Sequence, residues 1–458
     1  MEIEKTFEET QAYIIELVDA KKFLAARDEL LKLNYADCAE VIEEVIDELS
    51  IELAIILFRM LPKDAAAEVF SYLPSNDQLS IIDHITDTET LSIIDDLDFD
   101  DMIDVLEELP ANIVDKIVEA APRSERKRIN TFLNYPEDSA GSLMTPDYIS
   151  LRKDMKVRDA MEYIKSVGMD SETVYTCYVK DEGRKLIGIL SLRTLVVSDD
   201  DKLVSDLMRE DFVYVNVHDD QEEISADFTK YGFLAIPVVD NEKRLVGIIT
   251  VDDILRVVEE EVTEDFERMG GVIDSTTDEY FDISVWKNVK NRLPWLVLLM
   301  LSAMLTGAVI SHFELLLSDV IVLTVYLPML MGTGGNSGSQ ASTLVIRGMA
   351  VGDIELKDAL KVFWKEFRIS IIIGIILSVI NAARIIFLEH QGINVALTVC
   401  ISMVLIVIVA KCIGGLLPML AKKIGVDPAL MASPTITSLT DIFSCMIYFT
   451  LASFIFSL

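Results

Sequence analysis

The feature that most constrains this 458-residue chain is a set of five apolar stretches crowded into its C-terminal part. Leu293 to Ser311, Val320 to Ile346 and Ile393 to Ala410 carry no charge; Ile369 to Leu388 has only Arg384, and Pro428 to Leu458 only Asp441. At 1.5 Å per helical residue, each is long enough to cross a hydrocarbon core of about 30 Å. Buried helices of a large soluble protein are the alternative, but so many runs in so short a segment exceed what one hydrophobic core uses. A five-helix transmembrane bundle over 284–458, embedded in a lipid bilayer, is the expectation.

The rest of the chain has the opposite character. Residues 1–283 hold 67 acidic and 28 basic residues, a balance of −39, whereas 284–458 hold 9 and 12, a balance of +3. A disordered acidic chain is excluded by its 51% hydrophobic content, and nucleic acid is excluded as a partner because a polyanion is repelled. The N-terminal MEIEKTFEET lacks the apolar core of a secretory signal, which places the first half in the cytoplasm. Lys287, Lys290 and Arg292 precede the first span. Arg347, Lys357, Lys361, Lys365 and Arg368 follow the second, and Lys422 and Lys423 precede the fifth, while the other two connections carry no Lys or Arg. The positive-inside rule then gives a multi-pass protein of the cell membrane with a cytoplasmic N-terminus and an extracytoplasmic C-terminus, Arg384 reaching for the outer interface. Five scattered cysteines without a CxxC and four isolated histidines argue against disulfides and against a zinc site.

Within the cytoplasmic half, Thr6 to Leu133 reads as short helices broken at Leu61-Pro62, Leu73-Pro74, Leu109-Pro110 and Ala121-Pro122, each proline in a first helical turn. This is the pattern of an α-superhelical array, and residues 1–137 are taken as an acidic helical N domain. Short β-branched runs follow, and the chain repeats itself: KLIGILSLRTL (Lys185 to Leu195) aligns with RLVGIITVDDI (Arg244 to Ile254), with Gly188 and Gly247 in register. The repeat resembles a tandem pair of CBS domains, an α+β module, here over 138–200 and 201–256. That resemblance implies a regulator, and ATP or another adenosine nucleotide as a ligand. A helical connector over 257–283 carries Glu259, Glu260, Glu261, Glu264 and Asp265, a set whose first reading, taken in isolation, is a solvated helix face.

Two membrane segments carry chemistry. The second runs into GTGGNSGSQAST (Gly332 to Thr343), where Asn336, Gln340, Thr343 and Arg347 fall at helical spacing with Ser339 adjacent, giving one polar face; glue between packed helices is the rival reading. The fifth buries Asp441, 13 residues after Pro428 and about 20 Å along a continuous helix, with Ser433, Pro434 and Thr437 preceding it. A carboxylate at that depth costs at least about 2.5–3.5 kcal/mol. No Lys or Arg offers itself as an intramembrane partner in the sequence and no second intramembrane carboxylate is evident, so an external cation is the simplest compensation. Asp427-Pro428 reads as a helix cap, with a place at the cytoplasmic mouth as the alternative.

RLPWL (Arg292 to Leu296), LPMLMGTGGNSGSQASTLVIRG (Leu327 to Gly348), VDPAL (Val426 to Leu430) and the Asp441 helix together resemble the MgtE-type magnesium channel/transporter family along nearly the whole chain. The resemblance implies a homodimer with a pore between subunits, Mg2+ bound by Asp441, and Asn336, Ser339, Thr343, Ser433 and Thr437 along the pore. Ser339 and Ser433 stand where asparagine is common in the family. Regulatory Mg2+ is implied at Glu68, Asp100 and Asp104; at Asp220, Glu222 and Asp253; and at Glu261, Glu264 and Asp265 of a "plug" helix. Arg256 departs from the pattern, replacing an acid. Mg2+ uptake down its electrochemical gradient, closed by cytoplasmic Mg2+, is the expected function. Broader transport of Co2+, Mn2+ or Zn2+ is the alternative, and an intramembrane enzyme under CBS control the more distant one.

Overall fold

The computed structural model describes residues 6–272, 280, 283–314 and 320–456, so the 314–319 connection and the end of the 257–283 connector lie largely outside the described residues. The chain divides into two units, Met1–Val258 and Glu259–Leu458.

The first unit opens with short helices: α1 (Phe7–Asp19), α2 (Phe23–Leu30), α3 (Tyr35–Glu48), α4 (Ile51–Phe58), α5 (Lys63–Ser71), α6 (Ser75–His84), α7 (Asp87–Ile94), α8 (Phe99–Glu108), α9 (Ala111–Ala120) and α10 (Arg123–Phe132). From α2 to α8 each packs on the next but one, the stacking of a superhelical array. Pro62, Pro74, Pro110 and Pro122 stand one position earlier than expected, as N-caps with extended ψ. Their carbonyls accept the first intrahelical bonds from Ala66, Gln78, Val114 and Arg126, and the missing proline N–H costs nothing there.

Two three-stranded sheets follow, β1 (Tyr148–Arg152), β2 (Thr173–Lys180) and β3 (Leu186–Ser191), then β4 (Val215–Asn216), β5 (Ala235–Val239) and β6 (Leu245–Thr250). In each the first pair is parallel and the second antiparallel. Helices α11 (Ala140–Leu143), α12 (Val157–Val167), α13 (Leu192–Val197), α14 (Val204–Leu207) and α15 (Gln221–Tyr231) surround them, and α16 (Val251–Gly270) runs without a break through Arg256 and Val257. The sheets exchange edges: Thr145 bonds Ile248 of the second repeat, and Arg209 bonds Ile189 of the first. The two aligned glycines make this possible. A Cβ on Gly188 would lie 2.9 Å from the Met208 sulfur, and one on Gly247 would lie 2.8 Å from both the Met144 sulfur and the Thr145 carbonyl. One hydrophobic core joins the N-terminal helices to Ile224, Phe228, Ile236, Ile249 and Ile254 of the second repeat.

The second unit is built of long helices, α17 (Val285–His312), α18 (Leu323–Ala350), α19 (Ala359–Ala383), α20 (Ile393–Lys423) and α21 (Ser433–Phe456). Helix α20 packs against α18, α19 and α21. Among the described residues four segments are long and apolar enough to cross a membrane: Val285–His312, Leu356–Leu388, Ile393–Lys423 and Pro428–Phe456. Helix α18, with 28 residues, has the length but carries the polar string Gly332 to Thr343. The last segment is not one continuous helix. A 3-10 turn, Pro428–Met431, precedes α21, so Asp441 stands about 12 Å into its helix rather than about 20 Å. Arg384 does not reach outward alone: it pairs with Glu389 at 3.0 Å, and the Tyr326 hydroxyl donates to the same carboxylate.

The edge exchange makes Gly247 sensitive. Gly247→Ala should lose about 1–3 kcal/mol, because the Thr145 carbonyl cannot retreat without breaking its bridge to Ile248. Gly270→Ala, which meets nothing within 4 Å, should not. Thermal unfolding of the two full-length variants at fixed divalent concentration measures the difference.

Candidate functional site

In the second unit, α18 has two faces. Gly334, Gly335, Ser337, Gly338, Ala341 and Ser342 are buried, while Asn336, Gln340, Thr343 and Arg347 are exposed. The glycines let α21 approach closely: a Cβ on Gly335 would lie 3.0 Å from Thr437, and one on Gly338 would lie 3.3 Å from Thr440. At the seam the Ser339 hydroxyl donates to Ser433 at 3.1 Å, and Thr437 donates to the Ser433 carbonyl at 2.7 Å. Asp441 lies one turn beyond Thr437 and is half-buried. Among the described residues its carboxylate has no ion pair or hydrogen bond. Of the expected pore residues, Ser339, Ser433 and Thr437 are thus in contact, and Asn336 and Thr343 share the exposed face beside them.

Asp427 acts as the expected cap and also makes an ion pair. One carboxylate oxygen accepts from the Ala429 amide at 2.7 Å, and the other takes the guanidinium of Arg268. Arg268 also holds Glu264. Asp265, on the same helix, is pushed above the usual carboxylate range by burial and by Asp427, with Arg268 and Arg347 opposing.

In the first unit, Asp100 and Asp104 of α8 face the start of α16. Asp100 is 9% exposed and one of its oxygens is buried without a partner. Burial, then Asp253, Glu172 and Asp101, push its carboxyl up to about 9. Asp104 receives Arg256 at 2.7 Å, and burial still outweighs that guanidinium, so its carboxyl rises to about 6. Asp253 lies 3.8 Å from the same guanidinium and accepts from the Thr250 hydroxyl at 2.7 Å. Glu172 is raised to about 7 by burial and by the surrounding aspartates. Glu68 is raised by burial, Asp98 and Asp101. Asp220 instead caps α15, accepting from the Glu222 amide at 2.9 Å. Among the described residues no three acidic, His or Cys side chains stand close enough to hold a metal by themselves. The donor set nonetheless suits a hard cation: all oxygen, with one orphaned carboxylate atom at Asp100. A third feature lies between the repeats, a cavity of about 690 Å³ whose lining includes Lys153, Phe212, Tyr214 and Lys243.

Two pairings escaped the sequence. Lys411 of α20 and Glu366 of α19 are both buried and 4.0 Å apart inside the bundle, a base and a second acid that the reading of the spans left out. The signal was present: Lys411 is followed by ten further uncharged residues to Ala421, so it is interior to a span and not its end. The Arg256 contact was foreshadowed only as an anomaly of residue type.

Family models match residues 33–138 as an MgtE intracellular N domain, 140–200 and 204–260 as CBS domains, and 327–451 as a divalent cation transporter of the MgtE type. The magnesium transporter MgtE of Thermus thermophilus is 40% identical over 72% of this chain and 73% of its own length. This chain belongs to the MgtE family. The Bacillus subtilis MgtE is 38% identical over 73% of this chain and 74% of its own. Among solved structures, the cytosolic domain of the Mg2+ channel MgtE in complex with ATP matches with 34% identity and a TM-score of 0.50, over 54% of this chain and 99% of that one. The soluble part of a magnesium transporter matches with 28% identity and the same TM-score. MgtE membership makes the chain a transporter and removes the membrane-enzyme alternative.

The raised acids give a pH dependence. A carboxyl raised on folding stabilises the fold below its unfolded value, and that contribution is lost as pH climbs through the folded one. In divalent-free buffer the first unit of this MgtE chain should therefore lose stability progressively from about pH 4 to pH 9. Hydrogen exchange at α8, corrected for intrinsic rate, should show protection falling over that range and returning when a divalent cation is added.

Proposed function

We propose that the chain is a Mg2+-conducting membrane protein whose pathway passes Asp441 and which cytoplasmic Mg2+ closes. The carrying observation is a carboxylate without a protein partner, placed among apolar helices beside the hydroxyl and amide face of α18 and α21. Mg2+ keeps several of its waters, so one carboxylate with Asn336, Ser339, Thr343, Ser433 and Thr437 as outer hydrogen-bonding groups suits it better than a closed cage. Moving two charges through about 100 mV releases about 4.6 kcal/mol, so entry needs no chemical fuel. The names of the relatives support Mg2+ as the cargo over Co2+, Mn2+ or Zn2+.

Asn336, Gln340 and Thr343 are exposed on a single copy, and lipid would penalise them. A second copy covering this face would remove that penalty, which favours a homodimer with the pore between subunits and α18 as the fifth span. Lysines and arginines in the inner loops support a cytoplasmic N-terminus and an extracytoplasmic C-terminus. The domain boundaries follow as 1–137, 138–200, 201–256, 257–283 and 284–458. The cavity between the repeats offers Phe212 and Tyr214 to a base and Lys153 and Lys243 to phosphates, and the ATP complex of a relative's cytosolic domain supports an adenosine nucleotide there.

For closure, Mg2+ would neutralise Asp100 together with Glu68, Asp104 and Asp253. Asp220, Glu222, Glu261, Glu264 and Asp265 are the remaining sensor acids in this reading. Arg256 already supplies one positive charge to Asp104 and Asp253. Arg256→Ala is expected to raise flux at low cytoplasmic Mg2+ and to steepen closure, since an ion must then take the place of the guanidinium. An unchanged closing curve would remove Arg256 from the sensor.

Ion flux into proteoliposomes tests the pathway. Asp441→Ala should abolish Mg2+ entry with protein incorporation unchanged, and full flux in that variant would take Asp441 out of the pore.

A further inference from the structure

Three helices of the second unit meet at a buried pair of charges. Lys411 of α20 is 4% exposed and Glu366 of α19 is 6% exposed; the ammonium lies 4.0 Å from the carboxylate and 3.4 Å from the Ser337 carbonyl of α18. Ser337 belongs to the packed face of α18, and its neighbour Asn336 to the open polar face. The next residue, Gly338, is where the two backbones touch. A Cβ there would lie 3.1 Å from the Ala410 carbonyl, and one on Gly414 would collide with the Gly338 carbonyl. Lys411 therefore sits at the crossing of α18 and α20. The same glycine face also receives Thr437 and Thr440 of α21, and Asp441 follows directly.

Stability does not explain such a pair, because well-packed apolar residues of similar volume serve as well or better in a core. Its geometry does suggest a use. We propose that Lys411 and Glu366 are a positioning pair for the ion pathway: the ammonium holds the Ser337 carbonyl, Glu366 neutralises the ammonium, and together they set the spacing between the polar face of α18 and Asp441. Discrimination among hydrated divalent cations depends on that spacing, because the waters of the ion meet groups from both helices. The pair has no net charge, so it fixes geometry without adding a field that repels the cargo. This inference rests on the proposed pathway.

The test compares Lys411→Met, Glu366→Gln, the Lys411→Met/Glu366→Gln double variant and the milder Lys411→Gln/Glu366→Gln double variant, with Asp441→Ala in the same proteoliposome assay. Mg2+ and Co2+ fluxes are read per incorporated protein, alongside thermal stability. Each single variant leaves one buried charge unpaired and should lose both stability and flux. The Met/Gln double variant should regain abundance and stability, yet its Mg2+-to-Co2+ flux ratio should fall by about tenfold, the size of effect usual for groups that orient a metal's partners. The Gln/Gln variant keeps a donor for the Ser337 carbonyl and should retain a ratio close to the parent. A Met/Gln variant with parental flux and ratio overturns the proposal, leaving the pair a packing feature; if that variant does not assemble, a Gln/Gln ratio as low as tenfold below the parent does so. Asp441→Ala reports separately: normal flux there defeats the pathway itself, whatever the pair does.

Discussion

Moving a carboxylate out of water costs several kcal/mol unless a positive partner, hydrogen-bond donors or a proton comes with it. The acids of this chain meet that demand in different ways. Glu366 has Lys411, Glu389 has Arg384 and the Tyr326 hydroxyl, Asp427 has Arg268 and a backbone amide, and Asp104 has Arg256. Among the described residues Asp100 and Asp441 are not met in this way: one keeps an orphaned oxygen in the first unit, the other lies among apolar helices with no ion pair or hydrogen bond. These two are where an ion from solution has something to gain by binding. The arginines and lysines beside the other acids mark sites where the chain has supplied its own cation.

Close backbone approach is the second organising constraint. Gly334, Gly335 and Gly338 remove side chains from one face of α18, and Gly414 removes one from α20, so α20 and α21 both come within contact of the same few residues. That packing turns the remaining polar side chains of α18 outward as a group. The polar string is thus two interleaved messages, small residues for the inner face and amide or hydroxyl residues for the outer one.

Much of this was legible from residue order alone. The apolar runs, the two-fold repeat with its aligned glycines, the proline-punctuated helices and the polar face of α18 follow from periodicity, which reports burial directly. What escaped were pairings across elements. Lys411 and Glu366 each lie beside an uncharged run and look like the ends of spans, although the ten uncharged residues after Lys411 already signal that α20 continues to Lys423. Arg256 could be marked as unusual but not matched to Asp104, since the two stand far apart in sequence and meet only after α8 packs near α16. The distance of Asp441 along one helix was misjudged because the 3-10 turn after Pro428 breaks the count of residues.

The exchanged edges of the two repeats have a consequence for how that region behaves as a material. Each sheet completes itself with a residue from the other repeat, Thr145 on Ile248 and Arg209 on Ile189. Loosening either repeat at this edge therefore breaks a bridge that the other repeat's sheet also uses. A strain applied to one sheet at these bridges is thereby passed to the other.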